Sequence, residues 1–496
     1  MPLDQLCPSN ALLGWHSSVS CIHSAGPATA LASDGMPGSA PGAQHGRPTH
    51  RCGVQVSSTS KTADGQSPTT KSRLVERNLL APFILLVCCF AAWGAAANLT
   101  DILVGVFRSI FDMSNFQSSL VQFAYYGAYF LLAIPAAFLN RRFGYKAGVL
   151  VGLGLAAVGG LLFVPASQFL QYGFFLLALF VLAAGLSILE TSANPFVIAM
   201  GSEETATRRL NLAQAFNPVG ANIGVLLGAV LILPALTSEA AKTIMDPEQL
   251  VQSQEADLAL VLKPYLGIAA VLVLIWLLIA FRKMSVPTEQ AEVPLAGGGA
   301  LGRLWANRHY RYGVAAQFFN VAAQTCTWTF TILYAQDVVG VSAENSGWFL
   351  QASLILFLVA RFVMVYLLGI IQPARLLLIM ALVGVALCLV AMFSLNMIGL
   401  LAVVGISASL SLMFPTIYGV ALQGLGEDAK FGAAGLVMAI LGGALAPMLH
   451  GAVMDVAGPA MGYVVPGVCL ALVAAYALFD MRSHRPAVGE PIRNIV

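Results

Sequence analysis

The sequence predicts an all-α polytopic membrane protein with 12 transmembrane helices in two six-helix bundles, and three observations predict it. First, 58% of the 496 residues are hydrophobic and only 10% are charged, with a mean hydropathy of +0.80. An ordinary soluble domain carries about 25% charge. Second, from Leu79 onward apolar segments recur at roughly 20–30 residues, the length a tilted helix needs to cross about 30 Å of hydrocarbon. Third, "ETSANPFVIAM" and "SLMFPTIYGVA" place Pro195 and Pro415 at an offset of 220 residues, and Arg209 and Lys430 follow at 221. Two adjacent matches at nearly one offset indicate a duplicated six-helix unit.

The helices are expected near 79–106, 117–139, 145–165, 169–199, 209–235, 259–283, 310–336, 345–371, 373–395, 397–424, 431–455 and 459–481. With the N-terminus inside, 18 Lys and Arg residues from Lys71 onward fall on the cytoplasmic side, among them Arg141, Arg142, Lys146, Arg208, Arg209, Arg282, Arg303 and Lys430, and only Arg108, Lys242 and Lys263 fall outside. That asymmetry puts both termini in the cytoplasm of an integral plasma (inner) membrane protein. Residues 1–75 are rich in Ser, Gly, Ala, Thr, Pro and His, hold no spanning run and read as a disordered tail. A bundle over 76–284, a Pro/Gly-rich cytoplasmic linker over 285–308, a second bundle over 309–483 and a short cytoplasmic tail over 484–496 complete the division. The connection over 236–258 is acidic and outside.

Several function classes have no signature here. The 8 cysteines form no CxxC pair and no zinc spacing, and Cys88, Cys89, Cys326, Cys388 and Cys469 lie in apolar segments where small core residues are expected. No Walker loop follows a strand and no helix carries paired His/Glu, so an ATP-driven pump or an intramembrane enzyme is not indicated. A net charge of +2 gives no nucleic-acid reading.

What the spans do contain is polar at particular places. Asp101 stands in "AAANLTDILV" of the first helix and Glu190 in "LETSANPF" of the fourth; at about 1.5 Å per residue they lie in the outer and inner halves respectively. An ionised carboxylate at the bilayer centre costs roughly 2.5–3.5 kcal/mol, so such a residue faces a bundle interior or a wet cavity. Asn194 follows Glu190 by one turn, and the fifth helix, "RLNLAQAFNPVGANIG", adds Asn211, Gln214, Asn217 and Asn222 within an arc of about 140°. The seventh helix, "QFFNVAAQTCTWTF", offers Gln317, Asn320, Gln324 and Trp328 at helical spacing; Trp93, Tyr125, Tyr126 and Tyr129 lie in the first half. Singly, amides tie helices together. As a set with two carboxylates and rings they suit a polyhydroxylated solute, because amides and carboxylates pair hydroxyls and a sugar's C–H face packs on aromatics. Arg361, in the eighth helix, reads as a tie between helices ahead of the alternative, a charge balance.

"NLTDIL", "RRFGYKAG", "LETSANPF" and "RLNLAQAFN" together resemble the fucose-galactose-gluconate:proton symporter family of the major facilitator superfamily, over roughly residues 77–482. The resemblance implies the major facilitator fold, alternating access, and uptake of L-fucose or a related 6-deoxyhexose or hexose driven by proton entry. It implies no cofactor beyond the co-transported proton, and as partners a sugar, a proton and the lipid bilayer around a functional monomer. It makes Asp101 and Glu190 the functional carboxylates, read here as proton-coupling, and Gln214, Asn217, Gln324 and Trp328 cavity residues; with Glu190, Asn98, Asn194 and Asn320 these make up the expected substrate-binding set. Glu190, where glucose/galactose-type relatives tend to carry Gln, points to fucose; Thr100 in place of an Asn and Asn320 in place of an aromatic depart from the fucose branch. A glucose/galactose or N-acetylhexosamine symporter, or a sugar receptor that transports nothing, are the alternatives.

Overall fold

The computed structural model describes residues 73–110, 115–169, 171–227, 237, 245–284 and 299–483; the expected tail over 1–72 lies outside them. The described chain forms twelve long helical segments. They are α1 (Leu80–Ile110), α2 (115–143), α3 (145–169), α4 (Tyr172–Ile198), α5 (206–227), α6 (Pro247–Phe281), α7 (Arg308–Asp337), α8 (Ala343–Leu367), α9 (Pro373–Phe393), α10 (397–421), α11 (429–457) and α12 (Val464–Ser483). Helices α2 and α3 run together across a kink at Gly144, whose φ of 82° and ψ of 166° only glycine adopts readily. The "RRFGYK" turn is therefore nearly without a loop.

Among the described residues nine helices are long and apolar enough to cross a membrane, one of them the double segment Ala124–Gln168. Two expected spans are missing from that set for different reasons. Helix α5 leads into residues 228–236, outside the described range. Helix α7 is described throughout but carries Gln317, Asn320, Gln324, Thr325, Thr327 and Thr331, which make it too polar for a lipid-facing span and suited to an interior one.

Both long connections carry helix. Within the acidic connection over 236–258, α6 starts at Pro247, with proline in its first turn and the Asp246 N–H donating to Gln249 Oε1 at 3.4 Å. Glu and Gln are good helix formers, so the polar "PEQLVQSQEAD" continues the apolar helix above the span. The linker over 285–308 contains a short helix, Ala300–Ala306.

The duplication is visible in the pieces. Helix α4 is followed by a 3₁₀ turn, Glu203–Thr205, and then α5, which breaks between Ala206–Gln214 and Phe216–Leu227. Helix α10 is followed by a 3₁₀ turn, Gly426–Asp428, and then α11, which breaks at the 3₁₀ turn Ala439–Leu441. Helix α10 itself is broken between Met397–Leu410 and Met413–Ala421.

Candidate functional site

Close packing seats the fourth helix. A Cβ at Gly152 would lie 2.5 Å from Leu189 N, and one at Gly185 would lie 2.2 Å from Ala156 N, so the α3 and α4 backbones touch along a small-residue seam. Residues 182–197 of α4 are buried without interruption. Side-chain hydroxyls in this stretch return to their own backbone: Thr191 Oγ1 donates to Ser187 O at 2.8 Å and Ser192 Oγ to Ile188 O at 2.7 Å. That satisfies donors where no water is at hand.

Pro195 has no N–H, so it frees the carbonyl of Thr191 one turn earlier. Asn140 of α2 takes it up, its Nδ2 donating to Thr191 O at 3.3 Å while its Oδ1 accepts from Ser192 Oγ at 2.8 Å. At the end of α4 Arg209, fully buried, donates from Nε to Val197 O at 2.7 Å and from Nη2 to Ile198 O. The guanidinium thus caps the helix's last carbonyls.

Glu190 sits in this closely packed segment with no exposed surface and with no cationic side chain against its carboxylate among the described residues. Around it are amides and phenols. Asn194, one turn on, accepts from Gln214 Nε2 at 2.8 Å through its Oδ1, and its side chain is the polar group that interacts with the Glu190 carboxylate. Tyr418 of α10 brings a buried hydroxyl within electrostatic range of Glu190 and Asn194. Tyr129 of α2, also within range of Glu190, accepts from Trp93 Nε1 at 3.0 Å.

Arg361 of α8 joins this wall to the second half. Its Nε donates to Ser411 O at 2.6 Å and its Nη1 to Gln214 O at 3.1 Å, with the guanidinium 4.7 Å from the Phe357 ring centroid. Those two carbonyls are the ones that Pro415 and Pro218 deprive of their helical partners. The expected role of a tie between helices is what the geometry describes.

In α7, Gln317 and Asn320 are completely buried, and among the described residues none of their four side-chain polar atoms has a hydrogen-bond partner. Trp328 donates to Ser407 Oγ of α10 at 3.1 Å and meets Phe357 edge-on at 5.1 Å. Gln324, between them, is half-buried.

The α5 helix is interrupted at Ala215, and its four amides do not converge on one partner. Each makes an interhelical bond instead: Asn211 to Thr416 Oγ1 at 3.1 Å, Gln214 to Asn194, Asn217 to Phe90 O at 3.4 Å, and Asn222, which accepts from Gln351 Nε2 at 3.3 Å. Asn98 turns back to Gly94 O at 3.2 Å. Asn98, Asn217, Gln324 and Trp328 are half-buried, whereas Glu190, Asn194, Gln214 and Asn320 are buried. The Asp101 and Thr100 side chains lie outside the described residues, although the α1 backbone continues through both.

The sequence profile of the Major Facilitator Superfamily matches residues 83–441. The chain belongs to the major facilitator superfamily. An L-fucose-proton symporter of Haemophilus influenzae is 37% identical over 420 residues, covering 82% of this chain and 97% of that protein. A glucose/galactose transporter of Brucella abortus is 34% identical over 404 residues, covering 80% and 93%. The crystal structure of FucP, a major facilitator transporter in the outward conformation, superposes with a TM-score of 0.78 at 38% identity, covering 82% of this chain and 99% of that one.

In this major facilitator chain the two halves meet at the end that carries the arginine-rich turns. Arg208 Nε donates to Val365 O at 3.1 Å, Lys430 lies 5.3 Å from the Tyr145 ring centroid, and Phe431 packs edge-on against Phe138 at 5.1 Å with Arg141 5.7 Å from its ring. Sequence reasoning missed Tyr418 and Asn140. Both had a signal: each is a polar side chain within a turn or two of basic or proline positions in an otherwise apolar span, and Tyr418 stands in the same echo that marked Pro415.

Proposed function

We propose that this chain is a proton-coupled sugar symporter that imports L-fucose or a related 6-deoxyhexose across the plasma (inner) membrane by alternating access, as a monomer with both termini cytoplasmic. The observation that carries the reading is Glu190: a carboxylate buried with no cation beside it among the described residues, facing the Asn194 amide and the Tyr418 hydroxyl. Burying an unpaired charge is costly, so a group of this kind is built to take a proton or a sugar hydroxyl rather than to hold the fold. The unused polar atoms of Gln317 and Asn320 provide hydrogen-bonding capacity from the other half.

Within the reading, Asp101 chiefly carries the proton and Glu190 chiefly binds sugar, with Asn98, Asn194, Gln214, Asn217, Asn320, Gln324 and Trp328 as the surrounding set. Glu190 is about 12 Å along α4 from its basic end, whereas Asp101 is about 32 Å along α1 from its own basic-end start, at 1.5 Å per residue. Two depths give proton and sugar separate points of entry. Their binding is linked, because each shifts the equilibrium between the two arrangements of the halves. Inward proton movement supplies about 2.3 kcal/mol per charge per 100 mV. The contacts at the basic end support an outward-facing state if that end is cytoplasmic.

A glucose or galactose substrate is the second reading, favoured by the resemblance to the Brucella transporter. Proteoliposomes with a pH electrode outside separate the two. Adding L-fucose should alkalinise the exterior as protons enter with sugar, and D-glucose and D-galactose should give weaker signals. Tight sugar binding without any proton or sugar flux would overturn the symporter and leave a receptor.

A further inference from the structure

The short helix Ala300–Ala306, "ALGRLWA", has two apolar rows. Ala300 and Leu304 are buried against the bundle, at 4% and 3% exposure. Leu301 and Trp305, again one turn apart, are 57% and 73% exposed. The helix is held in place: Arg303 donates from Nε and Nη2 to both Asp428 oxygens, at 2.8 and 2.7 Å, anchoring it to the turn that opens α11.

It also lies at a definite depth. Residue 308 opens α7, and His309 lies 2.5 Å from Asp480, in the last turn of α12, so the helix sits where spanning helices end. An amphipathic helix at that level with Trp and Leu outward buries them at the boundary of headgroups and acyl chains. The charges beside it are mainly positive. Among the described residues, Asp428 is taken by Arg303 and Asp480 by His309, leaving Glu427 as the nearby acid. Arg308 is exposed, and Arg311 holds its guanidinium 5.9 Å from the Trp305 ring centroid.

We propose that this helix is a docking site for an anionic phospholipid, with Leu301 and Trp305 against the acyl chains and Arg308 and Arg311 on the phosphate. Arginine forks suit phosphate oxygens, and the Trp305 ring beneath Arg311 orients one. The inference needs only the membrane fold, and holds whichever sugar is carried.

Native mass spectrometry of the full chain from detergent, with phosphatidylglycerol or phosphatidylcholine added in equal amount, tests it. Phosphatidylglycerol adducts should predominate in the wild type. Arg311→Gln should reduce them about five-fold, the worth of one surface cation near anionic lipid, and Trp305→Ser should reduce retention of either lipid. Arg311→Lys should restore most of the preference, and Arg375→Gln, at the same end but on α9, should leave it unchanged. Thermal unfolding in detergent checks that each variant is folded; should Trp305→Ser not fold, Arg311→Gln against Arg311→Lys decides. Equal retention of the two lipids by the wild type, or undiminished phosphatidylglycerol binding by Arg311→Gln, overturns the proposal.

Discussion

Helices α4 and α10 hold equivalent places in the two halves, break their hydrogen-bond ladders at equivalent prolines, and then differ in how the break is mended. For Pro195 the donor is the neutral amide of Asn140, on α2, at 3.3 Å. For Pro415 it is the guanidinium of Arg361, on α8, at 2.6 Å. Asn140 and Arg361 are 221 residues apart, close to the interval separating the prolines. The scaffold of the break is thus duplicated and its chemistry is divided. The neutral mend stays within the first half and leaves Glu190 as the charge of α4; at the equivalent place in α10 stands Leu410. The charged mend belongs to the second half and crosses the interface, since the same guanidinium serves Gln214 O in α5.

The largest effect is expected where the halves differ most, at the acids. Asp101→Asn, fixed in a proton-bound form, should retain exchange of labelled for unlabelled sugar and lose accumulation driven by a pH gradient. Glu190→Gln removes a charged acceptor that hydroxyls bind more strongly than a neutral one, and should weaken sugar binding, lowering both exchange and accumulation. Counterflow and pH-driven uptake in proteoliposomes read both. Concentrative uptake by Asp101→Asn, or normal sugar binding by Glu190→Gln, would break the division between them.

Arg361 comes next. Arg361→Ala leaves two buried carbonyls unsatisfied, at about 1–3 kcal/mol each, so destabilisation of roughly 2–6 kcal/mol is expected. Pro415→Ala gives Ser411 O a helical N–H again. In that background the loss from Arg361→Ala should shrink by about one hydrogen bond's worth, roughly 1–2 kcal/mol, in detergent unfolding. An undiminished loss would mean that Arg361 acts through its charge and not through the freed carbonyls.

Much of this was legible in the sequence, for identifiable reasons. Span length, the Pro195 and Pro415 echo and the isolation of Glu190 are strong because hydrocarbon tolerates few exceptions. The interval between Asn140 and Arg361 was equally readable, but only once it is known which carbonyls the prolines free. What could not be read is the partner each amide finds. Pro218 in "NLAQAFNPVGAN" is the local sign that the ladder opens at Gln214 O, but nothing in the sequence says that Asn211, Gln214, Asn217 and Asn222 each bond to a different helix. The linker helix was hidden by a Pro/Gly-rich context, and its seven residues are too few for a periodic signal.

The smallest effect should come from the neutral mend. Asn140→Ala leaves one carbonyl, Thr191 O, without its donor and Ser192 Oγ without one of its two acceptors. The lost bond is 3.3 Å long, so its worth is near the lower end for a hydrogen bond, and a destabilisation of about 1–2 kcal/mol is expected. Pro195→Ala restores an N–H for the same carbonyl, and the Asn140→Ala loss in that background should fall by about 0.5–1 kcal/mol. Effects of proline on the unfolded chain are common to both arms and cancel in the difference. Because Asn140 reaches only within its own half, its removal should leave the contacts between halves, and with them sugar exchange, nearly unchanged once stability is matched. Arg361→Ala should disturb both. If Asn140→Ala proves as costly as Arg361→Ala, or slows exchange to the same degree, the two mends are equivalent and the division of chemistry between the halves does not hold.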